Sequence, residues 1–269
     1  MKLFTEKVVV ITGAGSGIGR SLAVAFSKLG AILALNDLSM ERLEETKLML
    51  EPNTKVFLKN FDISIKNEIE DFKNDIINKF GGVNIVINNA GVALSKYNFL
   101  ELKEEDENWL MKINLWAVYN SSKIFLPYLR EQKESYLVNL SSVFGLHGIP
   151  FQIPYAIAKA GVKALNQSLY AEEKYLNSSV FVVSVHPGGI KTRIAKDSRG
   201  ADANPKLTKK FERNFITTPE KAAKTIINGI KNRNSKVLIG IDAYAIDLLS
   251  RFIPGLLMKL IIKSMKKFE

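Results

Sequence analysis

Residues 8–30 read VVVITGAGSGIGRSLAVAFSKLG, and this stretch decides the fold. Val8, Val9, Val10 and Ile11 are branched and show no polar alternation, so they predict a strand covered on both faces. Thr12 leads into Gly13, Gly17 and Gly19, spaced G-x-x-x-G-x-G, and the following RSLAVAFSKLG carries helical apolar spacing up to a stop at Gly30. Strand, glycine turn and helix in succession let the backbone approach a pyrophosphate, whose charge the free N–H groups and the dipole of the helix N-terminus attract. Gly13, Ser16, Gly17, Ile18 and Gly19 are the candidate contacts.

Working outward, short apolar runs alternate with amphipathic stretches, the pattern of βαβ units around a parallel sheet. Seven strands are predicted: Val8 to Thr12, Ile32 to Asn36, Lys55 to Phe61, Asn84 to Asn88, Tyr136 to Ser141, Val180 to Val185 and Lys236 to Gly240. The expected class is α/β, a doubly wound parallel seven-stranded sheet with helices on both faces. No linker divides the 269 residues, so one domain is expected over residues 1–253, with a basic amphipathic segment over 254–269. A polar, basic stretch at about 190–215 interrupts the alternation and is expected to form a lid.

Composition narrows the chemistry. With no cysteine and two histidines, His147 and His186, disulfides, thiolate nucleophiles and a histidine-built metal site are excluded, so no metal is expected. The N-terminus lacks an apolar stretch long enough for a signal peptide, and the apolar runs fall short of the ~20 residues that span a bilayer, so a cytoplasmic protein is expected. The net charge of +11 comes from scattered lysines rather than a basic stripe with aromatic residues, and no nucleic-acid partner is expected. Only the C-terminal segment concentrates the charge.

Asp37 closes the second strand about twenty residues beyond the glycines, where a carboxylate can accept from ribose hydroxyls and would repel a 2′-phosphate. Neither Ser16 nor Leu38 supplies a cation for that phosphate, so NAD is expected over NADP. Alternatively, Asp37 or Ser39 caps the following helix. Tyr155 and Lys159 stand four residues apart on one helix face. Leu140-Ser141-Ser142 and a Gly145 turn end the fifth strand at the carboxyl edge of the sheet, where open α/β folds bind ligands.

In order, TGAGSGIG, Asp62, Asn88-Asn89-Ala90-Gly91, Asn114, Ser142, Tyr155 with Lys159, and Pro187-Gly188 leading to Thr192 resemble the short-chain dehydrogenase/reductase family in its single-domain branch. The resemblance covers nearly the whole chain. It implies a Rossmann-type fold, a catalytic set of Asn114, Ser142, Tyr155 and Lys159, and cofactor contacts from Asp62 and Ile63 at the adenine, Asn89, Ala90 and Gly91 along the cleft, and Ile190 and Thr192 at the nicotinamide carboxamide. It further implies that Lys159 holds the nicotinamide ribose and lowers the Tyr155 pKa, that Ser142 polarises the carbonyl, that Asn114 anchors a water relay, and that the protein is a homodimer or homotetramer.

The expected activity is NAD-dependent interconversion of a secondary alcohol, moderately apolar and extending to lipid-like ones, and its carbonyl. The apolar stretch Val143 to Pro154 at the active site favours such a substrate. The alternatives are an NADP-dependent carbonyl or acyl-thioester reductase and a catalytically silent nucleotide-sensing or membrane-associated protein; the lid cations Lys191, Arg193, Lys196 and Arg199 are open to two roles, at the cofactor pyrophosphate or at an acidic substrate such as an acyl thioester. His186 is expected to be structural, and His147 to lie in a loop near the substrate. Lys259, Lys263 and Lys266 or Lys267 line one side of the basic segment, which either packs on protein or gives peripheral contact with an anionic membrane.

Overall fold

The computed structural model of the chain describes residues 3–95, 97–194, 197–199 and 215–266. Seven strands form one parallel sheet: β1 (Val8–Thr12), β2 (Ile32–Asp37), β3 (Val56–Asn60), β4 (Ile85–Asn88), β5 (Ser135–Leu140), β6 (Val180–Pro187) and β7 (Lys236–Ile239), in the order β3-β2-β1-β4-β5-β6-β7. Each predicted strand is present, its ends shifted by no more than two residues. The order reverses between β1 and β4, whose registers pair Val9 with Ile85 and Ile11 with Ile87. That reversal opens a crevice at the carboxyl ends of the strands, the usual ligand position in open α/β sheets.

Alternate residues of each strand feed two cores. Val9, Ile11, Leu33, Leu35 and Val185 pack beneath α1 (Gly17–Lys28), α2 (Met40–Leu48) and α7 (Pro219–Lys231). Val8, Val10, Val86, Leu137 and Val182 face the other way, toward α3 (Lys66–Phe80), α4 (Glu104–Met111), α5 (Ala117–Arg130) and α6 (Ile153–Tyr175). Covering on both faces explains why these strands read as unbroken apolar runs. Phe26, Phe72 and Phe125 are among the largest fully buried side chains, and truncating any of them to alanine is expected to cost about 3–5 kcal/mol.

A π-helical turn, Lys112–Trp116, joins α4 to α5 and carries Asn114. Beyond β7 the chain forms α8 (Ile241–Phe252) and α9 (Pro254–Lys266), which pack against each other. Leu257 of α9 is buried. Of the expected lid, positions 195, 196 and 200–214, including Lys196, lie outside the described residues, as does Lys267. Among the described residues no helix is long and apolar enough to cross a membrane.

Candidate active site

A cleft of about 840 Å³ runs along the carboxyl edge of the sheet. At its nucleotide end, Gly13 adopts φ +64°, a backbone that an L side chain rarely takes. A Cβ on Gly19 would stand 2.1 Å from the Gly13 carbonyl oxygen, so α1 packs against the turn at a distance that only glycine permits. Asn89 fastens this turn to β4 through Nδ2, which donates to the Thr12 carbonyl at 2.9 Å and the Gly13 carbonyl at 3.1 Å. The Asn89 and Ala90 N–H groups both donate to Thr12 Oγ1 at 3.0 Å. Ser16, at the N-cap of α1, has extended backbone and no side-chain capping bond. The first amides of α1 therefore face the cleft beside Gly13, Ser16, Gly17 and Ile18, a glycine cradle that fits a dinucleotide pyrophosphate.

Asp37 stands on the same wall. Its Oδ2 accepts from the Gly15 N–H at 2.9 Å and its Oδ1 from the Ser39 N–H at 3.2 Å, while Ser39 Oγ caps α2 by accepting from the Arg42 N–H at 3.2 Å. Capping thus falls to Ser39, leaving Asp37 at the rim of the glycine turn. Asp62 and Ile63 follow β3 into the cleft, and Ala90 and Gly91 continue it from β4. Arg42, one turn into α2, also reaches this wall, its guanidinium 3.5 Å from the Asp197 carboxylate. Ser16 and Leu38 bring no cation to this wall, but Arg42 does, carried toward Asp37 by the first turn of α2, a placement that motif spacing alone does not reveal. Ile190 and Thr192 close the opposite side, Ile190 bridged to Thr217 and Thr192 lying over Gly17.

Ser142, Tyr155 and Lys159 converge deeper in the cleft. Ser142 lies two residues beyond β5 and caps a short 3-10 turn, where its Oγ accepts from the Phe144 N–H at 3.2 Å. Tyr155 lies in the first turn of α6, which carries Pro154 at its second position; its ring meets Phe144 edge-on at 6.3 Å, and Ser142 lies beside its hydroxyl. Lys159 follows one turn later, buried, with Nζ donating to the Leu140 carbonyl at 3.0 Å and lying 5.8 Å from the centre of the Tyr155 ring. Gly145 allows the 3-10 turn to seat on α6, because a Cβ there would stand 2.5 Å from the Lys159 carbonyl oxygen.

Electrostatics at this point differ from expectation. Burial disfavours the phenolate and raises the Tyr155 pKa, with the Ser142 hydrogen bond as the opposing influence. The expected lowering by Lys159 is absent from this arrangement, since the ammonium group is turned onto the Leu140 carbonyl. Burial also pushes Lys159 down to about 8.

Asn114 is fully buried and lies behind the cleft rather than on its wall. Its Oδ1 accepts from the Val92 N–H and its Nδ2 donates to the Val92 carbonyl, both at 2.8 Å. A Cβ on Gly91 would stand 3.3 Å from Asn114 Oδ1 and 3.5 Å from Lys159 Nζ, so the asparagine backs the wall that the lysine faces. A π turn inside a helix is a frequent mark of a functional position.

A buried polar chain that the sequence reading did not foresee supports the site from below. Asn88 Nδ2 donates to Asn139 Oδ1 and Asn139 Nδ2 to Asn166 Oδ1, both at 2.7 Å, and Asn166 Nδ2 donates to Ser184 Oγ at 3.0 Å. Ser184 Oγ lies 2.9 Å from His186 Nε2, and His186 Nδ1 lies 3.3 Å from the Ser142 carbonyl. A carbonyl only accepts, so Nδ1 carries the proton and Nε2 accepts from Ser184. Every donor in the chain therefore points toward Ser142, an arrangement in which successive bonds polarise one another. Burial, the largest influence, lowers the His186 pKa to about 4 and keeps the ring neutral. The structural role expected of His186 is present. His147 does not line the cleft, and its Nε2 is buried without a partner among the described residues.

The substrate end is walled by Leu94, Tyr97, Trp109, Val143, Phe144 and Ile246. Of the lid cations considered earlier, Arg193 pairs with Asp197 at 3.2 Å. Arg199 lies 4.0 Å over the Trp109 ring and 3.0 Å from Asp106, and Lys191 is exposed.

The family model for short chain dehydrogenase matches residues 7–203. The SadH protein of Mycobacterium tuberculosis is 35% identical over 272 residues, covering 100% of this chain and 98% of that one. A short-chain dehydrogenase/reductase from Burkholderia phymatum, solved in complex with NAD, superposes with a TM-score of 0.86 at 26% identity over 93% of this chain and 94% of that one. An alcohol dehydrogenase from the archaeon Thermococcus sibiricus, complexed with 5-hydroxy-NADP, gives a TM-score of 0.75 at 27% identity, covering 87% of this chain and 96% of that one. This chain belongs to the short-chain dehydrogenase family, a family of oxidoreductases that bind a nicotinamide cofactor.

Proposed function

We propose that the protein interconverts a moderately apolar secondary alcohol and its carbonyl compound, using NAD. The observation that carries this reading is the meeting of Ser142, Tyr155 and Lys159 on one wall of a cleft whose other end is a glycine cradle. The nicotinamide cofactor, when bound, supplies hydride transfer. In the cradle, the first amides of α1 hold the pyrophosphate and the Asp37 carboxylate accepts from the adenine ribose hydroxyls. In the reductive direction the Ser142 hydroxyl donates to the substrate oxygen, and Tyr155 passes its phenolic proton to that oxygen as general acid. On turning from the Leu140 carbonyl to the phenolate left behind, the Lys159 ammonium stabilises it, and oxidation reverses each step. Apolar side chains at the substrate end, Leu94, Val143 and Ile246 among them, favour a substrate without charge.

One observation favours NADP as a second reading: Arg42 reaches the wall beside Asp37, where a guanidinium could meet a 2′-phosphate. Measuring kcat/KM with both cofactors for the native chain and for Asp37→Ser separates the two. NAD use predicts that Asp37→Ser lowers the NAD value and raises the NADP value; an unchanged ratio overturns the role given to Asp37. Because α5 and α6 expose Tyr119 and Ile157, and the π turn exposes Trp116, the reading extends to a homodimer or homotetramer through these helices, to be checked by light scattering.

A further inference from the structure

The outward face of α8 carries Ile241, Tyr244, Leu248 and Phe252, spaced three, four and four residues apart on one helical stripe and exposed by 90%, 61%, 60% and 74%. Ile253, Leu256 and Leu260 extend the apolar surface across the joint onto α9, where they are also exposed. Seven large apolar groups on one two-helix unit form a patch of the kind that marks an interaction surface. The charges on α9 have one sign. Lys259, Lys263 and Lys266 follow the outer side of α9 and Arg251 stands at the end of α8, whereas the acids of the unit, Asp242 and Asp247, are both bonded within the protein. Asp242 Oδ2 accepts from the Gly189 N–H at 2.7 Å, and Asp247 pairs with Lys236 and with Arg251.

We infer that this face docks on an anionic lipid surface, with the apolar stripe entering the headgroup boundary and the lysines meeting the lipid phosphates. Charge decides among occupants. A second copy of the chain would set one basic patch against another, because a two-fold contact uses the same patch on both subunits, and of the unit's described acids Asp247 is already ion-paired and Asp242 is held in the first turn of α8. A lipid surface supplies both the apolar layer and the negative charge that an amphipathic basic face requires. The opposite side of α8 lines the cleft through Asp242 and Ile246, so docking sets the cleft beside the bilayer. This inference concerns a surface and stands independently of the proposed activity, since its test needs no turnover.

The test is flotation of the full chain with vesicles of phosphatidylcholine alone and of phosphatidylcholine with phosphatidylglycerol. The chain is expected to float with the anionic vesicles, to be released by high salt, and to bind the neutral vesicles at least tenfold less. Each lysine removed in Lys259→Gln and Lys263→Gln is expected to lower partitioning about fivefold, and Leu248→Glu with Phe252→Glu to abolish it without changing the melting temperature, these side chains being exposed. A native chain that stays with the aqueous phase overturns the inference, as does equal binding to both vesicle types. So does a Leu248→Glu, Phe252→Glu variant that halves the particle mass in light scattering while the native chain ignores vesicles, because a second copy would then be the occupant.

Discussion

The carboxyl edge of the sheet and the α8–α9 unit break the ordinary rule of burial in opposite directions. At the sheet edge Asn88, Asn139, Asn166, Ser184 and His186 are buried although polar; on α8 and α9 seven large apolar side chains are exposed. Buried polar groups cost stability unless every donor and acceptor is matched. The edge matches them in a single file ending at Ser142, and what it gains is a fixed position for a reacting group. The exposed unit gains nothing inside the monomer, so its composition answers to something outside. An interior polar chain thus points to chemistry, and an exterior apolar stripe to a partner.

The largest expected effect that tests this contrast is at the end of the polar chain. Ser142→Ala removes the donor placed where charge develops on the substrate oxygen, and kcat is expected to fall by about 10²–10³, with the fold intact by circular dichroism. A rise in KM with kcat unchanged would contradict the role given to Ser142, since only ground-state binding would then have been lost.

Next comes acid stability. His186 titrates near 4 in the folded protein and at about 6.5 unfolded. Between those values the unfolded chain binds a proton that the folded one refuses. Stability is therefore complete above about pH 6.5 and is lost as pH falls toward 4, by about 3 kcal/mol in all. Urea unfolding across that range measures it, and His186→Gln should flatten the slope; an identical slope in the variant removes His186 from the account. Asn166→Ala leaves Asn139 and Ser184 short of a partner and is expected to cost about 1–3 kcal/mol, read from the denaturation midpoint. The smallest effect belongs to the other region: Tyr244→Ser on the outward face of α8 should change stability by no more than about 0.5 kcal/mol. A loss comparable to that of Asn166→Ala would show that the stripe packs against the protein itself.

Much of the first region was legible in the sequence. Glycine spacing, apolar strands and the Tyr155–Lys159 interval depend on local backbone geometry, so they appear in order along the chain, and all seven strands follow from them. What was not legible depends on residues far apart. Asn88, Asn139, Asn166 and His186 come from four elements and meet only because β4, β5 and β6 are neighbours in register. Arg42 was missed because it reaches the cleft from the turn of a helix rather than from the motif itself. The basic character of α9 was visible, but the apolar stripe of α8 was not, since its buried and exposed apolar residues look alike until the helix is seated on β7.

The pairing of Ser142 with Tyr155 and Lys159 is the centre of the account, and one measurement reaches it most directly. Nicotinamide absorbance is followed with NADH and a panel of apolar ketones, for the native chain and for Tyr155→Phe, with NADH binding measured separately by fluorescence. The account predicts that a ketone is reduced by the native chain, that Tyr155→Phe lowers kcat by about 10²–10⁴, and that NADH affinity is unchanged. Full turnover by Tyr155→Phe would contradict it.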